Sequence, residues 1–426
     1  MKLYREILHI ALPAMVENLL QFLMGMVDSY LIAFLGLVAL SGVSLANNIM
    51  AVYQAIFIAL GAALSSYLAG SFGKKDNQVL SRKATEGLKL TVLLSLLLGL
   101  FSLVWGPDLL LWLGAEASVA AAGGLYLFLV GGSILTLGLM TSLGAILRAT
   151  GQVRLPMYVS LLSNLLNALF SAVAVFLLDA GIAGVAWGTI LARLIGGFIL
   201  WRSLRLPLAK PHWGLDRELL RLALPAAGER LMMRLGDVVV VGLVVSLGTA
   251  VVAGNAIGET LTQFNYMPAL GIAAASIILV ARERSQENWT KIRAIAKASL
   301  LLSLLSMTAV GLLIFMGRYP LIALYTSDAQ AMAAGQLVIL YCLIGLPATA
   351  GTLIFTAIWQ GLGNAKLPLY ATTIGMWLVR IGLGYLFTQI WSWGLAGVWV
   401  ATILDNVFRC SFLAVSFYHL SRKKPV

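Results

Sequence analysis

Charge is scarce in this chain, and negative charge most of all: Asp and Glu number 17 against 29 Lys and Arg, and charged residues fill 11% of 426 positions while hydrophobic ones fill 60%. So little polar surface cannot clothe a soluble globule, and a mean hydropathy of +0.94 places the chain in a membrane. Cysteine is nearly absent. Cys342 and Cys410 fall inside apolar runs and read as small hydrophobes, which excludes a disulfide scaffold. His9, His212 and His419 are scattered without metal-ligand spacing. No nucleophile elbow, P-loop, HExxH or dinucleotide fingerprint occurs, so neither an enzyme nor an ATP-driven pump is expected. The expectation is no catalytic residue, no metal and no organic cofactor.

What is present is a duplication. Leu12-Pro13-Ala14 with Glu17 returns 212 residues later as Leu224-Pro225-Ala226 with Glu229, and Leu35-Gly36 returns as Leu247-Gly248. The run from Ile146 to Tyr158 returns at the same offset from Ile358 to Tyr370, whereas Gly181 to Val185 matches Gly394 to Val398 one residue out of step. The apolar stretches approach the 20 or so residues a helix needs to cross a bilayer, and barrel-type alternation is missing. Twelve spans follow: 8–35, 41–72, 85–106, 119–148, 156–178, 182–203, 220–247, 252–281, 294–316, 331–361, 368–390 and 394–418. The fold class is therefore an all-α membrane protein, twelve transmembrane helices in two six-helix parallel-repeat bundles around a central cavity. The domains expected are an N-terminal bundle over 1–206, a cytoplasmic linker over 207–219 and a C-terminal bundle over 220–426.

Alternate loops divide by charge. Lys74, Lys75, Arg205, Lys210, Arg282, Lys366 and Lys423 share the side of the N-terminus, and Asp108, Glu116, Asp179 and Asp328 take the other. By the positive-inside rule both termini are cytoplasmic and the protein is multi-pass in the inner (plasma) membrane. The net charge of +12 is thereby topology, and no nucleic-acid partner is expected. Pro268 and Pro347 fall mid-span only in the second half and mark candidate bends.

A charge at mid-bilayer costs about 2.5–3.5 kcal/mol on insertion scales, so an intramembrane acid is a functional candidate. Asp28 is the sharpest, in Met24-Gly25-Met26-Val27-Asp28-Ser29 with no base within a helical turn. Hydrocarbon resists its ionisation, which suits a site that takes up and returns a proton. In the fifth span Asn164, Asn167 and Ser171 share one face at i, i+3, i+7, and in the sixth Thr189 follows small residues that favour close helix contact. The first half is read as carrying acid alone. The second half has Val240 where Asp28 would recur and instead carries Glu229, Arg230, Arg234, Asp237, Arg380, Asp405 and Arg409, read mostly as mutual neutralisation. Glu259 lacks an opposite charge within four residues and is the second-half acid to test.

These features resemble the multidrug and toxic compound extrusion (MATE) family, most closely its DinF-like branch. Its marks are Pro13, Met24, Gly25, Val27 and Asp28 in the first span, Gly181, Gly184 and Thr189 in the sixth, and the turn from Gly361 to Pro368. The resemblance implies secondary active export of amphipathic, often cationic compounds by alternating access, in exchange for H⁺ or Na⁺. It further implies a first-half ion site whose positions read Asp28, Asn167, Ser171 and Thr189 here. Ser171 stands where the family has a second acid, which favours H⁺ over Na⁺.

The expected mechanism is antiport, with H⁺ as coupling ion. Asp28, Asn164, Asn167, Ser171 and Thr189 serve proton or cation coupling; Asp28, Met24, Met26 and Glu259 serve substrate binding. Partners are drugs or toxic organic cations and membrane lipid, with the chain a monomer. The alternative is a flippase for lipid-linked saccharides or other anionic amphiphiles, which would draw on Arg230, Arg234 and Arg380.

Overall fold

The computed structural model describes residues 2–73, 76–112, 115–204, 206–207, 209 and 214–424. Lys74, Lys75, Arg205 and Lys210 of the basic loops, and Pro211, His212 and Trp213 of the linker, lie outside the described residues. Among those described, the chain is helical with no strand. Six helical spans precede the linker: Lys2–Ala33, Leu37–Gly73, Asn77–Trp112, a broken span from Ala117 to Ala149, Leu155–Phe176 and Gly181–Arg202. Six follow: Arg217–Val245, Thr249–Ser285, Trp289–Met316, Ala329–Gly361, a broken span from Lys366 to Ile390, and Leu395–Arg422.

Nine of these helices are long and apolar enough to cross a membrane unaided, and the broken fourth span makes a tenth. The remaining two fail for identifiable reasons. The seventh, Arg217–Val245, carries Glu229, Arg230, Arg234 and Asp237, and the eleventh is divided among an α-helical start and π-helical turns over Gly375–Leu383 and Leu386–Ile390. Prolines do not set the break points. Pro268 and Pro347 sit inside continuous helices, whereas the 45° bend falls between Gly131 and Leu135, after the π-helical turn Leu127–Gly131.

The duplication is built into backbone detail. Gly36 and Gly248, 212 apart, both take φ near +100° in the turn after the first span of each half, a conformation a Cβ would strain. A Cβ on Gly42 would meet Val119 O at 2.6 Å, and one on Gly254 would meet Ala331 O at 2.2 Å, so equivalent helices cross at backbone contact in both halves. The one-residue slip also has its cause. It arises between Tyr370 and Gly394, where the eleventh span winds as a π-helix, and the wider i→i+5 turn absorbs one additional residue.

Contacts group the chain into two compact units, Val16–Ala223 and Met1–Met15 with Leu224–Val426. The first fifteen residues thus sort with the C-terminal helices, and the described linker residues with the N-terminal ones. In Val16–Ala223 the second span packs on the third and fourth and the fifth on the sixth; in the other unit the eighth packs on the ninth and tenth and the tenth on the twelfth.

Candidate functional site

Asp28 lies near the end of the first span, and what holds it comes from the fifth. Asn167 donates its amide N–H₂ to both carboxylate oxygens, at 3.0 Å to Oδ1 and 3.1 Å to Oδ2. The amide oxygen of Asn167 in turn accepts the hydroxyls of Ser171 at 3.1 Å and Thr189 at 3.2 Å. Thr189 also reaches the Val185 carbonyl one turn back. Asn167, Ser171 and Thr189 are buried, at 2%, 0% and 3% exposure, so water does not supply these bonds. The result is a directed chain: hydroxyls donate to an amide, and the amide donates to an acid. Each donor stabilises negative charge at Asp28.

Local sequence makes the site possible. Ser171 and Asn167 are i, i+4 on one helix face, and small residues on the sixth span bring the two helices together. A Cβ on Gly188 would meet Ser171 N at 3.1 Å, and one on Gly184 would meet the Ala174 side chain at 2.7 Å, so the fifth and sixth spans approach closely beside Thr189.

Two members of the site escaped the sequence reading. Tyr126, 4% exposed, closes the α-helical part of the fourth span just before its π-helical turn and shares a hydrogen bond with Thr189. Arg193, one turn after Thr189 on the sixth span, is partly buried; its Nη1 is sealed without a hydrogen-bond partner, and it lies within electrostatic reach of Asp28 and Tyr126. The first half is therefore not acid alone. Helical spacing held a signal, because i, i+4 from Thr189 lands on Arg193, whereas Tyr126 is one aromatic among apolar neighbours and carries no pattern of its own.

The other candidates distribute differently. Asn164 lies one turn before Asn167, but its amide nitrogen is buried without a partner, apart from the hydrogen-bonded set. Met24 precedes Asp28 by one helical turn and shares its face. Met26 points to the opposite side and is 44% exposed. Glu259 belongs to the other unit, where it is exposed and hydrogen-bonds Asn255.

That unit gathers the second-half charges. Asp405, 0% exposed, accepts a hydrogen bond from Arg409 Nη2 at 2.9 Å and forms an ion pair with Arg380 Nη2 at 2.8 Å, while Arg380 also reaches Asp237 at 3.5 Å. Arg409 Nε is 2.9 Å from the same carboxylate but badly aligned, so its bond runs through Nη2. Arg234 stands 3.9 Å from Asp237, with both side chains about half exposed. Glu229 pairs with none of them; it accepts from Gln360 at 3.4 Å and Thr372 at 3.3 Å.

Comparison with known proteins places these features. A family model described as MatE matches residues 13–173 and 225–386. The chain is 28% identical, over 97% of its length and 92% of the relative's, to a probable multidrug resistance protein NorM of Thermotoga maritima. To a protein of the same description from Bradyrhizobium diazoefficiens it is 27% identical, over 98% and 94%. An uncharacterized transporter of Bacillus subtilis, YisQ, is 24% identical over 93% and 90%. In fold, the chain is similar to a multidrug resistance MATE family transporter of the MOP superfamily solved in an outward-facing conformation, with TM-score 0.91, 20% identity and 99% and 97% coverage.

Proposed function

We infer the function from one premise: the chain belongs to the MatE family, a family of membrane transporters. We propose that it exports amphipathic, often cationic organic compounds in exchange for H⁺, as a monomer of the inner membrane with both termini cytoplasmic. Relatives described as multidrug resistance proteins support the cargo class, and the distribution of basic loops supports the orientation.

The observation that carries the coupling step is Asp28 held by the Asn167 amide in a buried network with no second carboxylate. The charged carboxylate attracts an organic cation, whose apolar body rests against Met24 and neighbouring apolar surface. Protonation of Asp28 removes the charge and releases the cargo. Proton and cargo compete for one group, which makes the process exchange rather than co-transport. Glu259, exposed in the other unit, offers a further acid to a cationic group.

In proteoliposomes with an imposed pH gradient, Asp28→Asn is expected to abolish efflux while the protein inserts and unfolds as the wild type does. Undiminished efflux from that variant refutes the assignment.

The buried, unpartnered Nη1 of Arg193 supports a second reading, a flippase for anionic amphiphiles such as lipid-linked saccharides. Dye efflux measured beside lipid-precursor translocation in the same cells separates the two.

A further inference from the structure

The Asp28 site is short of what a metal cation needs. A hard cation takes a shell of several oxygen ligands, all of them acceptors. Here the Asn167 oxygen is already engaged by Ser171 and Thr189, and the group that Asn167 turns to Asp28 is its N–H₂, a donor. A donor facing the carboxylate competes with any cation for the same lone pairs. The charge is also accounted for. The titratable and charged groups acting on Asp28 are Arg193 from the sixth span and Tyr126 from the fourth, so a formal −1 faces a formal +1 and the site sums to zero. Arg193 makes no salt bridge within 4 Å among the described residues, and its Nη1 has no hydrogen-bond partner. Its part in the site is thus charge rather than geometry.

We infer that Arg193 is a resident cation, tethered on the sixth span, that reserves the Asp28 site for the proton and shuts out sodium. The inference rests on Asp28 being the coupling group and names what sets its ion specificity. A proton forms a covalent O–H bond with one carboxylate oxygen and needs no coordination shell. Sodium must shed its water and bind beside a fixed positive charge, with a single carboxylate whose two oxygens already accept from Asn167. An amphipathic organic cation meets the same charge, yet buries apolar surface that offsets the repulsion. Arg193 is accordingly a specificity residue rather than one that touches the proton.

The test is a sodium titration of the purified full-length protein followed by thermal unfolding, with N-methylglucamine chloride matching ionic strength. The wild type is expected to show no sodium-specific rise in Tm. Arg193→Met is expected to gain one, with sodium affinity up by on the order of tenfold or more, the value of one uncompensated charge contact. Arg193→Lys keeps the charge and is expected to stay blind to sodium, and Asp28→Asn combined with Arg193→Met loses the gained response. A sodium-specific Tm rise in the wild type, suppressed by lowering pH, overturns the inference without any variant. So does a folded Arg193→Met protein that ignores sodium, or an Arg193→Lys protein that responds as the Met variant does. Because these readings need no transport, they stand apart from the coupling proposal. If Asp28→Asn exports normally while Arg193→Met binds sodium, coupling through Asp28 falls and cation exclusion by Arg193 remains.

Discussion

Glu17 meets Arg148 at 2.6 Å in one unit; 212 residues on, Glu229 meets Gln360 at 3.4 Å in the other. The positions and the pairing are duplicated, but an ion pair in one half is an acid bonded to an amide in the next. The same divergence runs through the deeper charges. In the first half an acid on the first span is held by an amide on the fifth, with a lone guanidinium on the sixth. In the second half the slip of one residue brings Arg380 to the place of Asn167, and the sixth-span equivalent carries Asp405 with Arg409. Duplication preserved which helices meet and left free what chemistry they exchange. One bundle keeps an acid whose charge is only loosely matched, and the other ties Asp237 and Asp405 into a network with Arg380 and Arg409.

That contrast breaks most visibly at Asp405. Asp405→Ala leaves two buried guanidiniums without their shared counter-ion, and an uncompensated buried charge costs about 3–5 kcal/mol. A large drop in Tm for the purified protein is expected; little change means that the network is not structural. Arg380 retains Asp237 whereas Arg409 has Asp405 as its one ion-pair partner among the described residues, so an Asp405→Ala, Arg409→Met double variant is expected to recover part of the loss, as a double-mutant cycle would register.

The repeated pair sharpens the comparison at smaller amplitude. Glu17→Gln strands Arg148, 14% exposed, and is expected to cost about 3 kcal/mol. Glu229→Gln leaves only neutral partners behind and is expected to cost about 1 kcal/mol. Equal losses in denaturant unfolding would mean that the halves use these positions alike.

The repeat, the helical class and the face shared by Asn167 and Ser171 were legible because they are periodic, and periodicity survives in a lone sequence. Asp28 stood out because acids are rare in lipid. Arg193 reads in the sequence as one base in an apolar run, since its importance depends on a carboxylate 165 residues away. Tyr126 had no pattern to mark it. Met26 lies near Met24 in sequence, yet two helical steps turn it to the opposite face. The sorting of residues 1–15 with the C-terminal helices was illegible because the first helix runs unbroken through Met15. The bend at 131–135 was hidden because a π-helical turn without proline has no compositional signature.

The mildest effect lies at the entry to the second half. Asp216 precedes the seventh span and its carboxylate accepts the Leu219 N–H at 2.9 Å. Burial pushes the Asp216 carboxyl upward, but the Leu219 amide, the Tyr67 hydroxyl, the Glu218 amide and the nearby Lys83 together hold it below the usual carboxylate range. A folded-state pKa below the unfolded value means that the charged form supports the fold above about pH 4, and that this support fades as pH falls through the lowered value. Asp216→Ala is therefore expected to cost about 1 kcal/mol near neutrality, the usual worth of a helix cap. The gap between variant and wild type should narrow as unfolding is measured at progressively lower pH. Asp216→Asn keeps a capping oxygen without the charge, so it should fall between them at neutral pH, and its advantage over Asp216→Ala should not change with pH. A difference between Asp216→Ala and wild type that is constant from neutral to acid would show that the linker end is held by Tyr67 packing rather than by the charged cap.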